Sequence, residues 1–82
     1  MEVAEEVAQE VIQFIAGFLK QPLDKVRPEK DLTALIHESF VLIQMIVELQ
    51  ETMGVRLMQK DLQNVKTVSH LIEAVQAKKK GA

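Results

Sequence analysis

The sequence predicts an all-α fold: a small bundle of three main helices plus one short helix, with a long packed loop between the first two main helices. Three observations predict it. Apolar residues recur at helical spacing in three separate stretches, no useful run alternates with period two, and Pro and Gly fall between the periodic stretches. The 82 residues make one domain, 1–82, with a core so limited that every helix must give a face to it.

The first helix spans about 2–20. Val3, Val7, Val11, Ile15 and Phe18 form its stripe, and Ala4, Ala8, Ile12 and Leu19 widen it. Glu2, Glu5 and Glu6 occupy the first turns, where the helix dipole favours acids, and Gly17 weakens the last turn. The helix ends near Lys20, because Pro22 lacks an amide hydrogen and disfavours helical geometry at Gln21. Residues 21–37 are then a connection broken by Pro22 and Pro28. A structureless loop of that length is unusual in a small domain unless it packs. Leu23, Val26 and Leu32 are expected to tuck against the helices, with a short helical turn near Leu23 to Val26.

The second helix, about 39–53, carries an apolar stripe on Leu42, Ile46, Leu49 and Met53 and is closed by Gly54. Val41 and Val47 lie off that stripe beside Gln44 and Glu48, so the helix either touches something on two sides or offers apolar surface to a partner. Ser39 heads it, where a side-chain oxygen can cap the first turn and a negative group meets the positive end of the dipole. Val55 to Leu57 is a short extended link, and about 59–63 forms one turn of helix around Leu62. Thr67 is the expected N-cap of the last helix, about 67–77, with Val68, Leu71, Ile72 and Val75 inside. Lys78, Lys79 and Lys80 suit its C-terminus, and the final Gly-Ala is expected to fray.

Composition excludes several functions. With no Cys there are no disulfides and no thiolate metal sites, and nothing links the chain to an oxidising compartment. A net charge of −2 without a basic face argues against nucleic-acid binding, including a small helical DNA-binding role. The apolar run from Phe40 to Ile43 is too short to span a bilayer, and the N-terminus opens on acids instead of a basic leader, so no membrane association and a cytoplasmic monomer are expected. The only histidines are His37 and His70, and the zincin, phosphate-loop, dinucleotide and calcium motifs are absent. A triad of Ser39, His37 and Glu38 fails because adjacent side chains diverge. The chain therefore reads as non-catalytic, with His37 a loop residue beside Ser39 and His70 a solvent-facing residue of the last helix. Met45, Met53 and Met58 read as core or core-edge fillers, of which Met45 and Met58 are also placed to line a space.

One set of motifs remains. Asp31-Leu32 stands in the loop, Glu38-Ser39-Phe40 stands where Asp-Ser-Leu is usual, Leu49-Gln50-Glu51-Thr52-Met53-Gly54-Val55-Arg56-Leu57 stands where a Leu-Glu-Glu-x-Phe-Gly-x-x-Ile pattern is usual, and Lys66-Thr67-Val68 falls where Ile-x-Thr-Val precedes a last helix. In these residues and their spacing, over roughly 31–76, the chain resembles the acyl carrier proteins and related phosphopantetheine-binding carrier domains; the first helix is similar only in pattern. The resemblance implies a carrier-protein-like bundle in which a phosphopantetheinyl transferase esterifies Ser39 with 4′-phosphopantetheine from coenzyme A. The arm's thiol would hold acyl intermediates as thioesters for acyl-transferring, condensing or modifying enzymes. Partner contacts are then expected at Glu38, Phe40, Val41, Gln44, Val47, Glu48 and Glu51.

Three departures shape that reading. Glu38 replaces Asp, Phe40 replaces Leu or Met, and the outer face of the second helix carries Val41, Gln44, Val47 and Gln50 with only Glu48 and Glu51 acidic. Charge steering toward basic partners is therefore weak, which suggests a specialised carrier of polyketide, nonribosomal-peptide or other acyl biosynthesis. The alternative is a carrier-like interaction module that is never modified and docks through the apolar outer face of the second helix.

Overall fold

The computed structural model describes residues 3–81, and its five α-helices are α1 (Val3–Leu19), α2 (Leu32–Leu35), α3 (Ser39–Met53), α4 (Gln59–Leu62) and α5 (Val68–Gly81). No strand occurs among the described residues, so the protein is the expected all-α bundle. The expected start of the first helix at Glu2 lies outside the described residues, as do the side chains of Val3, Ala4, Glu5 and Lys80.

Helix α1 buries Val7, Val11 and Ile15, the stripe that its spacing predicts, and adds Ala16. Phe14 and Phe18 stack at 6.2 Å between ring centroids, half-buried against the same core. The helix ends one residue before Lys20, whose φ of 57° puts it in the left-handed region. Lys20 N then donates to Gly17 O (3.3 Å) and Gln21 N to Ala16 O (2.9 Å), the two reversed bonds of a Schellman closure. Helix α3 also closes on a left-handed residue, Gly54 (φ 69°), but here one carbonyl, Gln50 O, accepts from both Gly54 N (2.9 Å) and Val55 N (3.1 Å).

The connection after α1 packs through Val26, Leu32 and Ile36, all buried. Leu23 corrects the expectation: it is 54% exposed. The expected turn does form, as a 3-10 segment over Leu23–Lys25, but it closes with Val26 N donating to Leu23 O, and Val26 takes the core position instead. The four-residue α2 was not anticipated, since one turn leaves no periodic signature; it is held by Asp31 O, which accepts from Ala34 N (3.0 Å) and Leu35 N (3.3 Å).

The loop is fastened to the head of α5. Leu32 N donates to Lys66 O (2.8 Å), Val68 N to Lys30 O (3.0 Å) and Ser69 N to Pro28 O (2.8 Å). His70 N donates to Thr67 Oγ1 (3.1 Å) and Leu71 N to Thr67 O (3.2 Å), so each amide of the first turn of α5 has a partner. His70 faces solvent as expected, yet its Nδ1 also accepts from Lys66 N (3.1 Å) and Thr67 N (3.3 Å), which completes a capping box with Thr67. Helix α5 runs on to Gly81, a full turn past the expected end at Ala77, and Ala82 lies outside the described residues.

Helix α3 is rotated from its predicted phase. Its buried residues are Met45, Leu49 and Met53, while Leu42 and Ile46 are only half-buried. Met45, Leu49 and Met53 belong to the same buried cluster as the α1 stripe, Val26, Leu32, Ile36 and the inner face of α5, and an unbranched thioether adapts readily to such a position.

Candidate functional site

The approach to Ser39 is built from one buried anchor and an exposed run. Ile36 is buried, and His37, Glu38, Ser39 and Phe40 after it are all exposed. Glu38 has extended backbone (φ −101°, ψ 124°) and is the N-cap of α3, but its side chain makes no capping bond. Ser39 is therefore the first helical residue and not the cap, which corrects the expected capping role of its hydroxyl. Its Oγ has no hydrogen-bond partner among the described residues, and none joins it to His37.

The first main-chain bond of α3 runs from Leu42 N to Glu38 O (3.1 Å). The amides of Ser39, Phe40 and Val41 precede it and have no carbonyl one turn back within the helix. This is the opposite of α5, whose first turn is fully occupied. An open helix head favours a negative group by about 0.3–1 kcal/mol when exposed. The residues present thus suit a phosphodiester: an accessible hydroxyl, unpaired amides and the positive end of a helix at one point.

Beyond the serine, the outer surface of α3 divides into two flanks. Phe40 (74% exposed), Ile43 (60%) and Val47 (47%) make an apolar one, while Gln44, Glu48 and Glu51 are exposed on the other. Val41 is half-buried, the single member of the expected contact set that is not exposed. Gln50 is half-buried too, and its Oε1 accepts from Leu57 N (2.8 Å), so it organises the link after the helix. Ile43 is absent from the expected contact set, although one residue on from Leu42 it lies 100° round the helix and so outside the predicted stripe as well as the observed one.

Met45 and Met58 do not share a space. Met45 is wholly buried among core side chains, whereas Met58 is 49% exposed and lines an open groove of about 800 Å³ with Gly54, Val55, Arg56, Ala77, Lys78 and Lys79. At that end Asp61 Oδ2 accepts from Met58 N (2.8 Å) and pairs with Lys78 Nζ (3.1 Å). The Met58 amide and then the Lys78 ammonium hold the Asp61 carboxyl below its ordinary value of 3.8.

Compared with known families, residues 9–75 match the model described as the phosphopantetheine attachment site. The chain belongs to the phosphopantetheine-attachment family. Its cofactor is covalently attached 4′-phosphopantetheine, and domains of this family generally act as non-catalytic carriers of acyl groups. No curated protein matches the chain. The matched span runs through α1 to α5 and so includes both the fastened loop and the open head of α3. No helix among the described residues is long and apolar enough to cross a membrane.

Proposed function

We propose that this member of the family is a carrier protein whose arm is attached at Ser39 Oγ. The observation that supports this most directly is the condition of that hydroxyl: exposed, without a hydrogen-bond partner among the described residues, and set at a helix head whose first amides are open. When attached, the arm supplies the thiol that a cysteine-free chain lacks, and acyl groups are held on it as thioesters. Ser39 holds the phosphodiester, the amides of Ser39 to Val41 favour its charge, and buried Ile36 fixes the backbone that leads to it.

A phosphopantetheinyl transferase and acyl-transferring, condensing or modifying enzymes are the partners. They read Glu38, Phe40, Val41, Gln44, Val47, Glu48 and Glu51 around the attachment point. The apolar flank beside two carboxylates suits partner contacts that depend little on salt, in keeping with a specialised polyketide, nonribosomal-peptide or similar acyl pathway. The same flank also suits the unmodified docking module, and one experiment separates the two. Incubated with coenzyme A and a broad-specificity transferase, the wild-type protein gains one arm by intact mass and Ser39→Ala gains none. Wild type left unmodified by several transferases sinks the carrier reading.

A further inference from the structure

We propose that the open groove at the C-terminal end of α3 is a second docking surface, which takes an acidic segment of a partner protein. Three elements build it. The link after α3 brings Val55 and Arg56, the residue that leads into α4 is Met58, and the last turn of α5 brings Lys78 and Lys79. The groove lies far from the attachment point, since the fifteen residues from Ser39 to Gly54 cover about 22 Å at 1.5 Å per helical residue. A segment seated there leaves the head of α3 uncovered, so the surface is independent of arm attachment.

Charge selects the occupant. Among the described residues the groove is lined by cations and by no acid. The Asp61 carboxylate at this end is already engaged by Met58 N (2.8 Å) and Lys78 Nζ (3.1 Å). Arg56 and Lys79 have no ion-pair partner among the described residues. Glu51 shares a smaller neighbouring hollow with Arg56 without pairing to it, and Glu10 lines a separate hollow with Thr52 and Met53. Two unmatched cations in one groove thus stand on a chain whose net charge is −2. The dipole of α5 accounts for lysines in its last turn. It does not account for Arg56, which comes from another element, or for Met58, 49% exposed in the same groove. Carboxylates opposite Arg56 and Lys79, with an apolar side chain over Met58, match all three. Nucleic acid is a poorer match, because its binding rests on many phosphate contacts and only two unpaired cations line the groove. So is a lone phosphate, which favours the open amides of a helix N-terminus. Here α3 and α5 present their C-terminal ends, and the Met58 amide at the head of α4 is bonded to Asp61.

The test titrates the protein with a peptide of repeated Leu-Glu-Glu units, and with the same peptide carrying Gln in place of Glu, and follows backbone amide NMR shifts. At millimolar concentration the Glu peptide is expected to shift the amides of Arg56, Met58 and Lys79 and to leave those of Ser39, Phe40 and Ile43 in place. The double variant Arg56→Gln, Lys79→Gln is expected to bind it about 2- to 30-fold more weakly, the range for two exposed ion pairs. Both side chains are exposed, so the variant is expected to keep the wild-type circular dichroism spectrum and to gain an arm as wild type does by intact mass. No shift at the groove, equal shifts with the Gln peptide, or unchanged affinity in the double variant overturns the inference. Shifts centred instead on the loop cations Lys25, Arg27 and Lys30, or tighter binding of inorganic phosphate or a short single-stranded DNA at the groove, overturn it as well. A wild-type protein that takes up no arm but binds the Glu peptide at the groove sinks the carrier reading and leaves this one standing.

Discussion

Truncation of Met45 and of Ile43, two residues apart on α3, tests which way this helix faces. Met45 is wholly buried, and cutting a buried Met to Ala costs about 2–5 kcal/mol in transfer and cavity terms. Ile43 is 60% exposed, so Ile43→Ala loses only part of a side chain's contacts and regains some helix propensity, for a net cost under about 1 kcal/mol. A chain of this length has about 4–12 kcal/mol of stability in all, so Met45→Ala removes a large share of it. With about 1 kcal/mol lost per molar urea, the midpoint is expected to fall by about 2–5 M for Met45→Ala and by less than about 1 M for Ile43→Ala. Urea titration followed by far-UV circular dichroism reads both. Equal losses, or a larger loss for Leu42→Ala than for Met45→Ala, refute the orientation and with it the exposed apolar flank.

Substitutions at three further residues probe the fastenings of the fold. Lys20→Gly removes the strain of a side chain at φ 57° and is expected to stabilise by up to about 1 kcal/mol after the added chain entropy, visible as a rise in melting temperature. His70→Ala removes the acceptor for the Lys66 and Thr67 amides and is expected to cost about 0.5–2 kcal/mol, with part of the loss restored by His70→Gln, which can close the same box. Because the Asp61 carboxyl is held below 3.8 in the folded state, its contribution is complete above that pH and is lost as pH falls through the lowered value. Wild type is therefore expected to lose more of its urea midpoint between pH 5 and pH 2.5 than Asp61→Asn does.

What the sequence makes legible follows from how local each signal is. The α1 stripe, the turn at Gly54 and the Thr67 cap rest on one segment's own residues, and all three are present. The closure at Lys20 is disguised, because the left-handed residue there is not Gly and the bonds that enforce it are visible only in three dimensions. The phase of α3 depends on what surrounds it. With apolar residues at Phe40 to Ile43, Met45 to Val47 and Leu49, a wide arc of the helix qualifies as a stripe, and packing into the common core decides which part of it is buried. His70 was legible as exposed and not as a cap, since a histidine at the third helical position lacks the Glu or Gln signature of a capping box. At the site, the serine was legible from its motif and the apolar flank from surplus hydrophobes. Ile43 was legible by the same signal, since it lies off the predicted stripe as well as the observed one.

The two helix heads that share a hydroxyl residue make a final comparison. Thr67 Oγ1 accepts from His70 N at 3.1 Å, and the carbonyls of Pro28 and Lys30 complete that turn. Ser39 Oγ stands at a head that the fold leaves open, with no partner among the described residues. Deleting each hydroxyl separates a structural from a functional oxygen without any ligand. Thr67→Ala is expected to cost about 1 kcal/mol, a fall in melting temperature of about 4–8 °C for a domain of this size. Ser39→Ala is expected to change stability by less than about 0.5 kcal/mol while abolishing arm attachment. If Ser39→Ala destabilises the protein as much as Thr67→Ala does, its hydroxyl caps α3 after all, and the openness of that head no longer supports attachment there.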